Sequence, residues 1–329
     1  MRRLLGIDSI RFICASVVVF GHFGNPPLFS DAYDYILIYK IIHGIYNCLF
    51  NGPAAVIVFF IVSGLVIHYP YVEGKEVNVW EFYTKRCTRI IIPMLVITVL
   101  AFLVGDVYGP TGVFWSLYAE LIYYFLYPFI LKLKKHVSIL SLIVIVYFIG
   151  LALIFIVPSE GKGSYTDLGN GYTWIIGLPS WLTGLLLAEK VRKQTDTVSF
   201  TYLFMQRILI WGITIIMMVL HFQLHISNIL LLNMMIIPFY YWLKNEIDYY
   251  KTRVANIYLE NLGKWSYSLY IVHPLVVVFI SRYLFLYLSS QWISWISVTA
   301  SAFIFSYIFY LLVEKPSHIL TQKIKINRK

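Results

Sequence analysis

Charge is what this sequence has least of. Asp, Glu, Lys and Arg make up 13% of its 329 residues against 60% hydrophobic, and the mean hydropathy is +0.75. Soluble domains carry about 25% charged residues, so a water-solvated globular fold is excluded and the chain reads as a polytopic membrane protein. Cysteine is also scarce. Cys14, Cys48 and Cys87 lie far apart in sequence, which rules out a disulfide framework and offers no metal-ligand spacing, so no metal is expected. Internal repeats, low-complexity linkers and any soluble stretch of domain size are missing as well, and residues 1–329 are expected to form one bundle.

What is present is a series of apolar stretches, each long enough to span a bilayer. They fall near 4–24, 53–69, 88–106, 113–131, 137–157, 171–188, 203–220, 226–243, 265–288 and 291–313. They predict an all-α bundle of about ten transmembrane helices. The net charge of +10 by itself would suit nucleic acid, but its placement points to a lipid bilayer. With the N-terminus cytoplasmic, the inner segments hold nearly all Lys and Arg. The outer side keeps Lys40, Lys162 and Arg282, apart from Arg11 inside the first helix. This positive-inside asymmetry predicts both termini in the cytoplasm of a multi-pass protein of the inner or plasma membrane. A separate crossing by residues 35–50 would move the basic loop before Pro93 outside, so that segment is expected as an outer, partly interfacial excursion. Arg2 and Arg3 precede an apolar run as in a signal peptide. Asp8 and Arg11 interrupt that run and no small-residue cleavage site follows, so a retained first helix is expected.

The first helix carries the chemistry. At about 100° per residue, Arg11 and His22 lie about 20° apart around its axis, and Asp8 about 60° from Arg11. Three ionisable groups on one stripe of a spanning helix point to a bundle interior or a water-filled cavity. The plainer alternative is a local Asp8–Arg11 pair snorkelling to the interface, with His22 alone. Further along, Ser63 and Gly64 are small enough for close helix packing. Arg86 and Arg89, three apart, present two guanidinium groups from one face, which suits polyanionic phosphate or, more plainly, lipid headgroups. Glu120 is the only acid of its apolar stretch, in the run Trp115-Ser116-Leu117-Tyr118-Ala119-Glu120. A carboxylate beside His22 would fix the imidazole tautomer of a general base, whereas in the plainer reading Glu120 binds a tyrosine and pins two helices. His273 follows Tyr267 and Tyr270 and precedes Pro274. It is a second acid/base candidate, or a histidine satisfied by a carbonyl loosened at the proline. Glu314, near the end of the last apolar stretch, is placed to pair with inner arginines. Asp31, Asp34, Lys40 and His43, and later Glu160, Lys162, Asp167, His221 and His225, supply outer polarity without a motif.

Together these stretches resemble the acyltransferase-3 family of integral membrane acyltransferases, which includes many polysaccharide O-acetyltransferases. Its Asp, Arg three later and His eleven after that are met by Asp8, Arg11 and His22. Its Phe-Phe-x-x-Ser-Gly run is met at Phe59 to Gly64, its Arg-x-x-Arg before a proline at Arg86, Arg89 and Pro93, and its Trp-Ser-Leu-x-x-Glu run at Trp115 to Glu120. The Ser-Tyr-Ser-x-Tyr-x-x-His-Pro run matches Ser266 to Pro274, and the late Glu-x-Pro matches Glu314 and Pro316. Each motif is weak alone; six in order are specific. The resemblance implies transfer of an acyl group, commonly acetyl, from cytoplasmic acyl-coenzyme A to a hydroxyl of a cell-surface or lipid-linked glycan. The sequence shows none of the SGNH-type domain appended in some members, so the bundle is expected to complete the transfer.

The expected arrangement puts the phosphates of acyl-CoA on Arg86 and Arg89, and Arg11 along the path of the developing negative charge. His22 serves as base or transient acyl carrier, oriented by Asp8 or Glu120. Depth favours Glu120, because Asp8 lies about 21 Å below His22 on a straight helix. The rival reading from another class is a transporter or flippase for a lipid-linked saccharide. Such proteins often show inverted repeats and paired broken helices, and neither is clear here. A non-catalytic partner in an assembly complex has no need of six polar motifs inside the membrane.

Overall fold

A computed structural model of the chain describes residues 4–29, 36–105, 108–157, 165–283 and 290–323. Asp31, Asp34, Glu160 and Lys162, expected to supply outer polarity, lie outside these residues. Among the described residues the fold is entirely helical. The helices are α1 (Ile7–Phe23), α2 (Leu37–Asn47), α3 (Gly52–His68), α4 (Val79–Val104), α5 (Tyr108–Leu133), α6 (Ile139–Ile156) and α7 (Gly169–Lys193). They continue with α8 (Phe200–Leu224), α9 (Asn228–Met234), α10 (Ile236–Lys251), α11 (Ile257–Gly263), α12 (Ser266–Tyr283), α13 (Gln291–Phe309) and α14 (Lys315–Lys323). A π-helical turn, Tyr310–Glu314, joins the last two.

Among the described residues, seven helical segments are long and apolar enough to cross a membrane: Leu37–Tyr71, Val79–Val104, Gly112–Leu133, Ile139–Ile156, Gly171–Lys193, Phe200–Leu224 and Gln291–Gln322. The pair Ile257–Gly263 and Ser266–Ile280, bent by 59° at its break, is an eighth if it counts as one span. Helix α2 shares a single candidate span with α3, so it adds no crossing of its own. The 17-residue α1 and the α9–α10 pair, interrupted at Met235, occupy the other stretches where crossings are expected.

Two helices form the centre. In the apolar windows of the α2–α3 span and of α7, 72% of residues are buried, against 17% in α8 and 22% in α6. The outer helices turn bulky apolar side chains outward, including Phe102 and Leu103 on α4 and Phe155 on α6. The α3–α7 crossing is close because of glycine. A Cβ on Gly64 would fall onto the Trp181 carbonyl, and one on Gly184 onto the Ile61 carbonyl. Small residues at such a crossing let two backbones touch without a polar driving force, and here the contact brings Ser63 beside Trp181.

Helix starts follow from short polar side chains taking up orphan N–H groups. Asn51 accepts from the Ala54 N–H at 3.0 Å while its amide donates to the Thr214 carbonyl at 3.1 Å, so one buried residue both caps α3 and ties it to α8. Two other helix starts are capped from a distance. Glu260 on α11 accepts from the Ser9 N–H (3.0 Å) and hydroxyl (2.6 Å) in the first turn of α1. Glu314 accepts from the Ser268 N–H (3.1 Å) and hydroxyl (2.5 Å) in the first turn of α12. Gly263 completes the first of these contacts, since a Cβ there would meet the Asp8 carbonyl. The two helices that carry the histidines are thereby fixed at their starts.

Candidate active site

Helices α1, α3, α4, α5 and α12 enclose a cavity of about 90 Å³. Arg11, Arg86, Arg89, Ser63, Glu120, Tyr267 and Tyr270 all line it. Of the residues singled out in the sequence, these seven come together from five helices. Arg86 and Arg89 stand one turn apart on α4, half-buried, and among the described residues neither donates a hydrogen bond to protein. Arg11 lies 3.6 Å from Asp8, the expected i,i+3 pair, and Arg89, Glu314 and Glu120 are its other charged neighbours. Half-buried guanidinium groups without hydrogen-bond acceptors leave strong donors unused, and an anion satisfies them.

Glu120 faces this chamber but does not touch His22. Its Oε1 accepts from the Ser63 hydroxyl at 2.5 Å and from the Tyr124 hydroxyl at 2.6 Å. Trp181 Nε1–H donates to Ser63 Oγ at 3.3 Å. Ser63 is therefore more than a packing residue: its hydroxyl is bonded to a carboxylate and opens into the chamber.

His22 is paired with His273. Their Nδ1 and Nε2 atoms lie 3.0 Å apart. His273 is fully buried and its Nδ1 sits 3.2 Å from the Leu269 carbonyl. A carbonyl only accepts, so His273 carries its proton on Nδ1 and its Nε2 is an acceptor; His22 then donates through Nδ1 and keeps its Nε2 lone pair free. The expectation that Glu120 or Asp8 orients His22 is thus corrected: a second histidine does. The reason is depth. Tyr270 bonds Ser116 at 2.7 Å. His273 lies three residues, about 4.5 Å, from Tyr270 along α12, and Glu120 four residues, about 6 Å, from Ser116 along α5 in the opposite direction. The histidine pair and Glu120 are separated by about 10 Å along the bundle, with the Tyr270–Ser116 bond between them.

The remaining candidates sit around this core. Tyr267 donates to the Ile90 carbonyl at 3.0 Å, anchoring α12 to α4 at the arginines. Trp115 is outside the chamber, stacked on Tyr165 with ring centres 5.4 Å apart and edge-on to Phe60 at 6.2 Å. Glu314 bonds Ser268 rather than an arginine, so its placement corrects the expected direct ion pair. His221 spends its Nδ1 on the Ile226 carbonyl (2.8 Å), closing a turn. Sequence reasoning missed Tyr124, Ser116 and Glu260. Tyr124 was within reach, being four residues after Glu120 on one helix face, and Ser116 stands in the Trp115-Ser116-Leu117 run; no local signal marks Glu260.

Along the site the groups run from the arginines, through a serine-bound carboxylate, to a histidine with one free ring nitrogen. A family model described as an acyltransferase domain, that of the acyltransferase-3 family, matches residues 4–311. The chain belongs to this family. Among curated proteins and among solved structures, none matches it. As an acyltransferase-3 member it is a multi-pass membrane protein of the acyltransferase class. Among the described residues no group of His, Cys, Asp and Glu is clustered to hold a metal ion.

Proposed function

We propose that this protein moves an acyl group, commonly acetyl, from cytoplasmic acyl-CoA to a hydroxyl of a cell-surface or lipid-linked glycan on the far side of the membrane. In this reading the bundle crosses the inner or plasma membrane ten times with both termini cytoplasmic, and the arginine end of the site faces the cytoplasm. The observation that carries it is the pair Arg86 and Arg89, without hydrogen-bonded protein partners among the described residues and lining a chamber whose Tyr270 lies one helical turn from the His273 that bonds His22.

The phosphates of acyl-CoA dock on Arg86 and Arg89, where fixed forks make charge-assisted hydrogen bonds. The acyl thioester enters the chamber toward Tyr270. His22 Nε2 removes the proton from the acceptor hydroxyl as the oxygen attacks the thioester carbon, the C–S bond breaks, and coenzyme A leaves as the thiolate. Arg11 stabilises the negative charge that develops on this path. His273 holds His22 in the tautomer that leaves Nε2 free, and Glu120 holds Ser63 and Tyr124 on the chamber wall.

The test is transfer of radiolabelled acetyl from acetyl-CoA in membranes bearing the wild-type chain, His22→Ala or the Arg86→Ala/Arg89→Ala pair, with surface polysaccharide present. Label on glycan with the wild type alone supports the reading. Wild-type membranes that move saccharide across the bilayer but leave acetyl-CoA intact overturn it in favour of a flippase.

A further inference from the structure

Helix α1 has a second cavity on its other face. A slot of about 400 Å³ runs between α1, α3, α8, α10 and α11. Its α1 wall runs from Gly6 through Ser9, Ile10, Ile13 and Cys14 to Val17, one face of the helix. Across from it, Ala54 and Ala55 on α3 leave the width open. From Gly6 to Val17 the slot follows eleven residues, about 16 Å of helix. Half the hydrocarbon core of a bilayer is about 15 Å. Ile13 and Trp211, which line the slot, are 51% and 49% exposed, so it opens sideways from the bundle.

The Gly6 end is polar. Arg207 donates Nε–H and Nη2–H to the two oxygens of buried Glu246, at 2.6 and 2.7 Å, and Nη2 also reaches the Tyr250 hydroxyl at 3.3 Å. Trp242 Nε1–H donates to the same carboxylate at 2.8 Å. This side-on grip leaves the two Nη1–H donors of Arg207 without a partner among the described residues. A guanidinium can hold one carboxylate along one edge and a second anion along another. The Gly6 backbone keeps this end tight: its φ is +84° and the Tyr250 ring lies where a Cβ would be.

We propose that this slot binds one acyl chain of an anionic phospholipid, with the phosphate on Arg207 and the chain lying along α1. An apolar cavity of this size has little to hold water, a length of one leaflet matches a lipid chain, and a basic group between helices at the interface suits an anionic headgroup. The site is distinct from the arginine chamber and does not depend on the acyltransferase reading. A bound chain would brace the face of α1 opposite Arg11.

The full-length chain is reconstituted in phosphatidylcholine vesicles containing a trace of phosphatidylglycerol, or of phosphatidylcholine, with a photoreactive diazirine near the end of one chain. After irradiation the labelled peptides are mapped. Labelling of peptides bearing Val17 and Thr214 at several times the level of lipid-facing peptides at Phe102 and Phe155 is expected. Ala55→Phe, which fills the slot, should lower slot labelling at least fivefold while the protein elutes and melts as a folded species. If that variant misfolds, Ile210→Trp narrows the slot from α8. The neutral pair Arg207→Gln/Glu246→Gln should keep slot labelling but lose the preference for phosphatidylglycerol. Equal labelling of slot and outer faces by the wild type overturns the proposal, as does labelling that a folded slot-filling variant leaves unchanged. Absence of any headgroup preference in the wild type overturns the assignment of Arg207.

Discussion

Two cavities share α1, and they differ in chemistry more than in size. The chamber on one face is about 90 Å³ and takes Arg11, Arg86, Arg89 and Glu120; the slot on the other is about 400 Å³ and is lined mostly by aliphatic and aromatic side chains around one Arg207–Glu246 pair. Charge inside a membrane bundle is costly, and a bundle that only needs to pack has no reason to collect three guanidinium groups. The larger cavity matches its one carboxylate to Arg207, keeps the two Nη1–H donors of that arginine spare among the described residues, and otherwise offers shape. The smaller one leaves Arg86 and Arg89 without hydrogen-bonded protein partners among the described residues. Adjacent residues make the division: Arg11 faces the chamber and Ile10 the slot.

The largest effect should come from the histidine pair one helical turn beyond the chamber's Tyr270. His22→Ala removes the proposed general base, and turnover is expected to fall by about 10²–10⁴-fold while acyl-CoA binding, measured by calorimetry on the purified protein, stays within a few-fold. A variant with normal turnover would detach the histidine pair from the chamber and remove the functional difference between the two cavities. At the arginine end, Arg86→Ala/Arg89→Ala loses two charge-assisted contacts of roughly 1.5 kcal/mol each at a half-buried site. The Michaelis constant for acyl-CoA should rise on the order of a hundredfold with little change in kcat, the pattern of lost uniform binding. A fall in kcat with unchanged Michaelis constant would place these arginines at the reacting centre instead.

Much of this site was legible before any coordinates, for a physical reason. Ionisable residues in apolar runs are rare, so Asp8, Arg11, His22, Glu120 and His273 stand out singly. The helical period then puts Asp8, Arg11 and His22 on one stripe. What the sequence does not carry is relative depth between helices. His22 and Glu120 both lie in the outer part of their own apolar stretches, yet α5 and α12 are set so that Tyr270 meets Ser116, and this sends Glu120 and His273 in opposite directions from that bond. The crossing count is blurred for a related reason. Hydropathy reads 226–243 as one continuous span, while the chain breaks inside it at Met235, and the 59° bend between α11 and α12 falls where the 265–288 stretch begins. Ser63 gained its meaning from Glu120, 57 positions later in the chain and 2.5 Å away.

The smallest effects lie at the starts of α1, which both cavities share, and of α12, which lines the chamber alone. Glu260 holds Ser9 at the start of α1, and Glu314 holds Ser268 at the start of α12, each through one carboxylate oxygen shared by a backbone N–H and a hydroxyl. Loss of the hydroxyl in Ser9→Ala or Ser268→Ala should cost about 1 kcal/mol of stability in either case, read as equal shifts in detergent-solubilised thermal melts. The surroundings of the two glutamates differ. Arg11 and Arg89 both act on Glu314, and His318 lies 3.8 Å from it. Glu260 has no hydrogen-bonded partner for its second oxygen among the described residues. A shift of Glu314 in Ser268→Ala therefore reaches the chamber arginines, and this variant should raise the Michaelis constant for acyl-CoA by about threefold through a charge interaction of under 1 kcal/mol. The larger change must belong to Ser268→Ala. If Ser9→Ala gave it, the chamber's electrostatics would be set through α1 from the slot side, and the division of that helix into a charged face and an apolar face would not describe how the protein works.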